Sequence, residues 1–372
     1  MCSTIESETD TARYPLNQKT GIITLSTEHD IIHHINRIIT DASNILIVVS
    51  NPIDPDCIGT GLSLKWYLEE KQKTVEIIRY FDIPHEMSFF PEMATVKHAD
   101  TFPDLKKFQA VILVDGCDWT QFFGDHWQKI LTEINISRII NLDHHIPGDI
   151  QQTIPDSCLI KKTSCTAQLL YDYLIKPAQM QLIPKVANYL YLALLYDSGN
   201  FKYEIYPGQY LFAEKLIRAG ADHARAMDIN YDKKDIDFMV WAVAHTEYFP
   251  DLKTSLLTLS KEHVQTLTQK LGANWSDFDK FYKENFERQI HGYDYGIILI
   301  DNLDNTVRLG WRTRNYGKTV SIKETANRCG FFTGGHRNAG GGHFNGTIET
   351  AKKNLLNGIR SEIKQPTGYD IS

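Results

Sequence analysis

The residues best suited to chemistry in this chain lie in the stretch 141-NLDHHIPGD-149, where an aspartate and two histidines follow an apolar run. Carboxylates and imidazoles bind metal ions and transfer protons, so Asp143, His144 and His145 form a candidate site. A polar cluster at a strand end is also a common turn, and these three residues alone do not separate the two explanations. Whether the cluster is a site or a turn depends on which other residues lie at the same end of the predicted strands.

Three further acidic stretches occupy comparable positions. The stretch 50-SNPIDPDCIGTG-61 follows an apolar run, 114-VDGCD-118 follows another, and 196-YDSGNF-201 ends an apolar helical segment. Because the carboxyl ends of strands in an α/β sheet lie along one edge, we expect the acidic and histidine side chains of all four stretches to converge there. They are Asp54, Asp56, Asp115, Asp143, His144, His145 and Asp197.

Alternating apolar runs and helical patterns predict the elements that position these residues. The predicted strands of the N-terminal part cover 44–50, 74–80, 110–116 and 137–143. The predicted helices cover 59–72, 166–175, 184–199 and 207–219. Continuous apolar strands with helices between them indicate a parallel sheet covered on both faces.

A chain of 372 residues is too long for one ordinary core, so we expect two domains. Both are predicted to be α/β, with the active site in the cleft between them. The predicted order is a mobile N-terminal tail over 1–27, a parallel-sheet catalytic domain over 28–222, a charged helical linker over 223–249, and a smaller substrate-binding domain over 250–365.

Composition restricts the partners and the location. The net charge of −7 argues against general binding of long nucleic acids, which usually requires a basic balance. The six cysteines form no CxxC pair and are typical of reduced thiols, which predicts a cytoplasmic protein. The longest apolar run, 189–196, is too short to span a membrane, and no membrane partner is expected.

Several carboxylates at one edge require cations, because like charges at short range raise each other's pKa. Oxygen-rich sites with one or two imidazoles suit Mn²⁺ or Mg²⁺. Two such ions can share a carboxylate, activate a water molecule and bind a phosphate. The residue types therefore predict metal-assisted phosphoester hydrolysis.

The order and spacing of DPD, VDG, LDHH and YDSG resemble the DHH family of phosphoesterases, named for its Asp-His-His motif. The segment 333-TGGHRNAGGGHF-344 is similar to that family's C-terminal substrate domain, and the match runs from about residue 46 to 344. The resemblance implies one metal ion held by Asp56, Asp115, His144 and Asp197, and a second held by Asp54 and the bridging Asp115. It also implies that His145 faces the substrate phosphate. Asp143 is expected to orient a neighbouring histidine.

The resemblance further implies that the second domain binds the substrate. The segment 307–342 carries seven lysines and arginines against one acid, Glu324. Its glycines would let the backbone approach a phosphate closely. The predicted substrate-binding residues are Arg312, Arg314, Gly334, Gly335, His336, Arg337, Asn338, Gly340 and Gly341.

This tail is similar to that of the nucleotide-directed branches of the family, which degrade RNA fragments of a few nucleotides or dephosphorylate 3′,5′-adenosine bisphosphate. We therefore expect a metal-dependent phosphodiesterase or phosphatase that acts on very short oligonucleotides or nucleoside bisphosphates. A cyclic or linear dinucleotide phosphodiesterase is one alternative. A degenerate homologue that binds a nucleotide without turnover is another, and a homodimer is left open.

One position departs from the family pattern. Members of this branch usually have a histidine four residues before the first motif aspartate, and this chain has Ser50 there. Serine is a poor neutral ligand for the ion that Asp54 would hold. We therefore expect up to two ions, Mn²⁺ or Mg²⁺, with the second bound weakly.

Overall fold

The computed structural model describes residues 27–81, 95–99, 104–202, 206–227, 233–272, 282, 290–314, 320–335 and 339–364. The chain forms two compact units that divide between Ala226 and Met227. The predicted mobile tail, apart from its last residue, lies outside the described residues. In the described part, no helix combines the length and the apolar character needed to cross a membrane.

The first unit consists of one sheet with helices around it. Its strands are β1 (Asn44–Val49), β2 (Thr74–Arg79), β3 (Lys97–His98), β4 (Ala110–Val114), β5 (Ile139–Asp143) and β6 (Cys158–Ile160). Its helices are α1 (Glu28–Asp41), α2 (Pro55–Glu70), α3 (Trp119–Phe123), α4 (Trp127–Glu133), α5 (Asp149–Thr153), α6 (Thr166–Leu170), α7 (Pro184–Asp197), α8 (Gln209–Arg218) and α9 (His223–Met227), the last of which reaches the boundary. A π-helical turn, Tyr171–Ile175, continues α6.

All strand pairs of this sheet are parallel, and their order is β3-β2-β1-β4-β5-β6. Alternate residues of β1 enter two separate apolar layers: Ile45 and Ile47 on one face, Leu46 and Val48 on the other. The chain runs outward from β1 to β3 and then returns to add β4 on the opposite side. The order therefore reverses between β1 and β4, where α/β sheets open a crevice at their carboxyl edge.

Helix α2 begins earlier than its apolar pattern predicts. The predicted start was residue 59, but the helix begins at Pro55 and is capped by Asp54. The Asp54 carboxylate accepts hydrogen bonds from the backbone N–H groups of Asp56 and Cys57 at 2.9 and 3.0 Å. A proline at the first helical position and an aspartate cap form a strong start signal. The first acidic motif is thus a helix N-terminus as well as a strand end.

The second unit is a mixed sheet with helices. Its strands are β7 (Glu247–Phe249), β8 (Thr254–Leu259), β9 (Tyr295–Asp301), β10 (Thr306–Thr313), β11 (Phe331–Gly335) and β12 (Ala339–Asn345). Its helices are α10 (Lys233–His245), α11 (Lys261–Leu271), α12 (Ile322–Arg328) and α13 (Ile348–Lys364). The strand order is β11-β12-β10-β9-β8-β7, and β8 and β9 pair in parallel. A parallel α/β unit followed by a second α/β unit confirms the predicted fold class.

The segment predicted as a linker contributes to the second unit. Within it, α10 buries Phe238 and Ala242 against apolar side chains of β8, β9 and α11. Strand β7 pairs with β8 at the edge of the sheet. The four charged residues of α10 all lie in its first five positions, and they led the composition-based interpretation to a linker.

Gly59 controls how closely α2 approaches α7, and so it affects the two acidic ends that these helices carry. A Cβ at this position would lie 2.6 Å from the backbone oxygen of Tyr189, which cannot move without shifting α7. We expect Gly59→Ala to lower the free energy of unfolding by about 1–3 kcal/mol, the usual cost of overpacking. Urea denaturation measures this effect. The exposed Glu70→Ala on the same helix should change stability by less than about 0.5 kcal/mol; equal effects of the two variants would contradict the proposed packing constraint.

Candidate metal centre

The carboxyl edge of the parallel sheet gathers the acidic motifs. Asp54 and Asp56 follow β1, and Asp115 follows the neighbouring β4. The residues 143–145 lie at the end of β5, the next strand in the sheet. Asp197 is the last residue of α7. The predicted convergence therefore occurs at the point where the strand order reverses.

The first group of potential ligands is Asp56, His144 and Asp197, whose ligand atoms lie within 4.8 Å of one another. The Nε2 atom of His144 is 3.1 Å from Asp197 Oδ2 and 3.9 Å from Asp56 Oδ2. Asp115 Oδ1 is 3.8 Å from the same nitrogen. Three carboxylates thus surround one imidazole nitrogen, which matches the ligand set that the resemblance implied for one ion.

The other nitrogen of His144 sets the tautomer. His144 Nδ1 lies 3.2 Å from the backbone oxygen of Thr163, which can only accept a hydrogen bond. A proton on Nδ1 leaves the lone pair of Nε2 directed at the carboxylates. Metal-binding histidines are commonly oriented by a backbone carbonyl in this way. The ring is therefore arranged to bind a cation through Nε2.

The carboxylate of Asp143 positions both histidines through hydrogen bonds. Its Oδ1 atom accepts hydrogen bonds from the backbone N–H groups of His144 and His145, at 2.8 and 3.3 Å. The same oxygen is 2.7 Å from His145 Nδ1. Burial by itself would raise the pKa of Asp143, but the hydrogen bond and charge of His145 outweigh it and hold the pKa below its ordinary value. Asp143 is therefore an anion that orients His145.

Helix α6 supplies the donors that hold two of the acids, and the sequence motifs did not point to it. The backbone N–H groups of Thr166 and Ala167 donate to the two oxygens of Asp56 at 2.7 and 3.0 Å. The Thr166 hydroxyl donates to Asp115 Oδ1 at 2.8 Å. The local signal was weak: a threonine at the start of a predicted helix. These donors fix both carboxylates in the completely buried part of the site.

Burial and mutual repulsion change the protonation of the clustered carboxylates and of His144 when no cation is bound. Burial, and then the charge of Asp56, raise the pKa of Asp115 well above its ordinary value. The same causes raise the pKa of Asp197 to about 7. Burial alone would lower the pKa of His144, but the hydrogen bond to Asp197 and the neighbouring carboxylates raise it to about 10. The site holds protons where a divalent cation could replace them.

A second group of potential ligands consists of Asp54, Cys57 and Asp115. Cys57 was not among the predicted ligands. Its side chain lies beside Asp54 because it follows that residue by three positions, about one helical turn. Its Sγ is 3.3 Å from the Asp54 backbone oxygen, and burial together with the nearby acids raises the pKa of this thiol well above its usual range. A protonated thiol is a weak ligand. Ser50 is buried beneath this group, and its N–H donates to Val114.

In the second unit, the predicted substrate residues lie on two faces of the sheet. Arg308, Gly310 and Arg312 alternate along β10 and share a face. Gly341 pairs with both Gly310 and Gly334, so these three glycines form the floor of that face. Among the described residues, no atom lies within 4 Å of a Cβ added to Gly334, so the described part of the floor is open there.

Gly340 and Arg314 have structural explanations. A Cβ at Gly340 would lie 2.2 Å from the ring of Trp311, so the missing side chain makes room for the core on the opposite face. Arg314 donates to the backbone oxygen of Ile290 at 2.9 Å. His336, Arg337 and Asn338 lie outside the described residues, and Gly335 ends β11, where it pairs with Gly340. The substrate-binding roles of all these residues stay predictions.

The chain shares its fold with a protein of known structure. No protein-family model matches the chain, and no curated protein does. A crystal structure of an exopolyphosphatase-related protein from Bacteroides fragilis has a TM-score of 0.77, with 20% identity over 90% of this chain and 97% of that one.

Two other solved structures align with much lower scores. A pGpG-specific phosphodiesterase from Vibrio cholerae has a TM-score of 0.39 and 13% identity, over 87% of this chain and 99% of that one. RecJ from Thermus thermophilus in complex with Mg²⁺ has a TM-score of 0.33 and 10% identity, over 90% of this chain and 52% of that one. The shared fold therefore rests on the Bacteroides fragilis structure.

The raised pKa values predict that metal binding releases protons. Below a pH of about 7 the proton on Asp197 competes with the ion, so the affinity for Mn²⁺ should rise as the pH increases through that value. Calorimetry in buffers of different ionisation enthalpy counts the released protons. The exposed Asp125→Asn should release as many as the unchanged protein, whereas Asp197→Asn should release fewer. An affinity that is constant from acid to neutral pH would contradict this arrangement.

Proposed function

We propose that this chain is a metal-dependent phosphoesterase of the DHH type. The observation that carries the proposal is the group of three buried or nearly buried carboxylates around Nε2 of His144, at 3.1 to 3.9 Å, with His145 beside it. A structural ion-pair network does not need so many acids around one imidazole. An arrangement for binding divalent cations does, because only a cation offsets their repulsion.

The ligand set fits Mn²⁺ or Mg²⁺. Asp56, Asp115, His144 and Asp197 would hold one ion, and Asp54 with Asp115 would hold a second. The second would be the weaker one, because Ser50 supplies no imidazole and the Cys57 thiol keeps its proton. Bound ions of this kind lower the pKa of water and draw electrons from a phosphate.

His145 is suited to contact the phosphate. Burial would lower its pKa, but the hydrogen bond to Asp143 raises it, so the ring holds a positive charge more readily. The Nδ1 atom is engaged with Asp143 at 2.7 Å, which fixes the ring. An imidazolium held in this way donates a charge-assisted hydrogen bond to a phosphate oxygen and stabilises the negative charge that develops there.

The proposed substrates are very short oligonucleotides or nucleoside 3′,5′-bisphosphates. A protein with a net charge of −7 gains little from the many phosphates of a long strand. Within the second unit, the segment 307–342 carries seven lysines and arginines against one acid, and its Arg308 and Arg312 share a face of β10 with the glycine floor. A phosphodiesterase that acts on cyclic or linear dinucleotides is the alternative, because the same chemistry would hydrolyse their phosphodiester bonds.

Loss of the bridging acid tests the reaction itself. We expect Asp115→Asn to abolish Mn²⁺-dependent hydrolysis of a 5′-labelled dinucleotide, since it removes a ligand that both ions would share. Asp143→Asn should lower activity or metal affinity by about 10–100-fold, the usual effect of losing a group that orients a metal-binding residue. The matched control is the exposed Asp125→Asn, which should keep full activity. A wild-type chain that binds the dinucleotide with Mn²⁺ but never cleaves it would instead support the non-catalytic alternative.

Substrate length tests the role of the second unit. We expect turnover to be highest for substrates of about two to five nucleotides, because few phosphate contacts are available. Arg312→Ala should raise KM for these substrates and leave Mn²⁺ affinity unchanged. Arg328 lies on α12 and pairs with Glu362, so Arg328→Ala serves as an arginine control from the same unit. A thirty-nucleotide RNA cleaved as fast as a dinucleotide would rule out this selectivity.

A further inference from the structure

The backbone directly behind Asp197 adopts an unusual conformation. Gly199, Asn200 and Phe201 have consecutive φ values of 55, 56 and 62°. The left-handed region suits glycine and tolerates asparagine, but it is costly for a bulky aromatic residue. Hydrogen bonds hold the turn: Asn200 N–H donates to the Leu195 oxygen at 2.7 Å, and Phe201 N–H donates to the Ser198 hydroxyl at 3.1 Å. Strain that is maintained next to a candidate ligand suggests that the position of the Phe201 ring matters.

The turn directs Phe201 onto another aromatic ring. Phe201 stacks on Tyr210 in the first turn of α8, with ring centroids 5.3 Å apart and an interplanar angle of 19°. Phe201 also packs against the core, which fixes one side of the pair. Tyr210 is 53% exposed. The pair therefore presents the outer face of the Tyr210 ring to solvent, with Phe201 behind it.

A cation and a third ring extend this surface. Lys162 places its Nζ 5.5 Å from the ring centre of Tyr206. Tyr206 and Tyr210 both line an open groove of about 460 Å³, which is formed by residues 206–211. A flat aromatic surface beside an ammonium group is complementary to a nucleobase with its phosphate.

Hydrogen bonds connect this surface to the metal centre on two sides. Gln168 Nε2 donates to the backbone oxygen of Pro207 at 3.2 Å, and Gln168 lies two residues after Thr166, which holds Asp115. Lys162 immediately precedes Thr163, whose backbone oxygen lies 3.2 Å from His144 Nδ1. The aromatic surface is thus connected, within the first unit, to the residues that hold the candidate ligands Asp115 and His144.

We propose that Phe201, Tyr206, Tyr210 and Lys162 form a nucleobase subsite beside the metal centre. The outer face of the Tyr210 ring, which Phe201 supports from behind, stacks on the base, and Lys162 beside Tyr206 neutralises a phosphate next to it. This subsite rests on the proposed phosphoesterase function and names its substrate class: nucleotides, in preference to chains of inorganic phosphate. Inorganic phosphate chains have no planar group to stack, so the rings contribute nothing to their binding.

Tyr210 provides the sharpest test, because it is exposed and its replacement should not impair folding. With Mn²⁺ present, calorimetry would compare binding of adenosine 5′-monophosphate with binding of inorganic phosphate. We expect Tyr210→Ala to weaken nucleotide binding by about 10-fold and to leave phosphate binding within about 2-fold, as the loss of one stacking ring implies. Tyr210→Phe, which keeps the ring, should restore nucleotide binding. Ile217→Ala, an exposed apolar residue later in α8, should behave as the unchanged protein.

The outcomes separate the subsite from the proposed function. Equal weakening of both ligands by Tyr210→Ala, or no weakening of either, would overturn the subsite while the wild-type chain still hydrolyses phosphoesters. A wild-type chain that binds adenosine 5′-monophosphate no better than inorganic phosphate would overturn it as well. Absence of any metal-dependent hydrolysis by the wild-type chain would instead overturn the proposed function, and the subsite with it.

Discussion

Repulsion among buried carboxylates is the constraint on which the first unit depends. Asp56 and Asp115 are both buried, and Asp197 lies close enough to share the same histidine nitrogen. Each added negative charge makes the next more costly in a place that water scarcely reaches. The structure offsets this cost with backbone N–H donors, with the hydroxyls of Thr60 and Thr166, and with His144. Bound cations would offset the charge that remains.

The surrounding elements bring these groups together. The reversal of strand order at the paired strands β1 and β4 leaves a crevice at the carboxyl edge of the sheet. The N-terminus of α6 directs N–H groups that make no hydrogen bond within the helix at Asp56. The close packing of α2 on α7 at Gly59 brings the start of one helix and the end of the other to the same edge. Packing and electrostatics therefore constrain the same few residues.

Among the groups of potential ligands, the one around His144 and the one that contains Asp54 are not equivalent as cation positions. The group around His144 combines hard carboxylate oxygens with an imidazole of defined tautomer. The group of Asp54, Cys57 and Asp115 has a thiol where an imidazole would bind better, and one Asp54 oxygen already caps α2. A cation at the second position would therefore rely on water or on substrate oxygens for part of its shell. That dependence would couple metal occupancy to the presence of a phosphate.

The sequence by itself determined the fold class, and it singled out the candidate metal-binding residues, because apolar periodicity and acidic strand ends are local patterns. It also determined that Ser50 departs from the resembled motif. Only the tertiary structure decided that Thr166, 110 residues after Asp56, donates to it, that Gly340 makes room for Trp311, and that α10 packs within the second unit. Such contacts join residues that are distant along the chain or lie on opposite faces of a sheet. Local patterns carry no information about that proximity, which arises only when the elements pack.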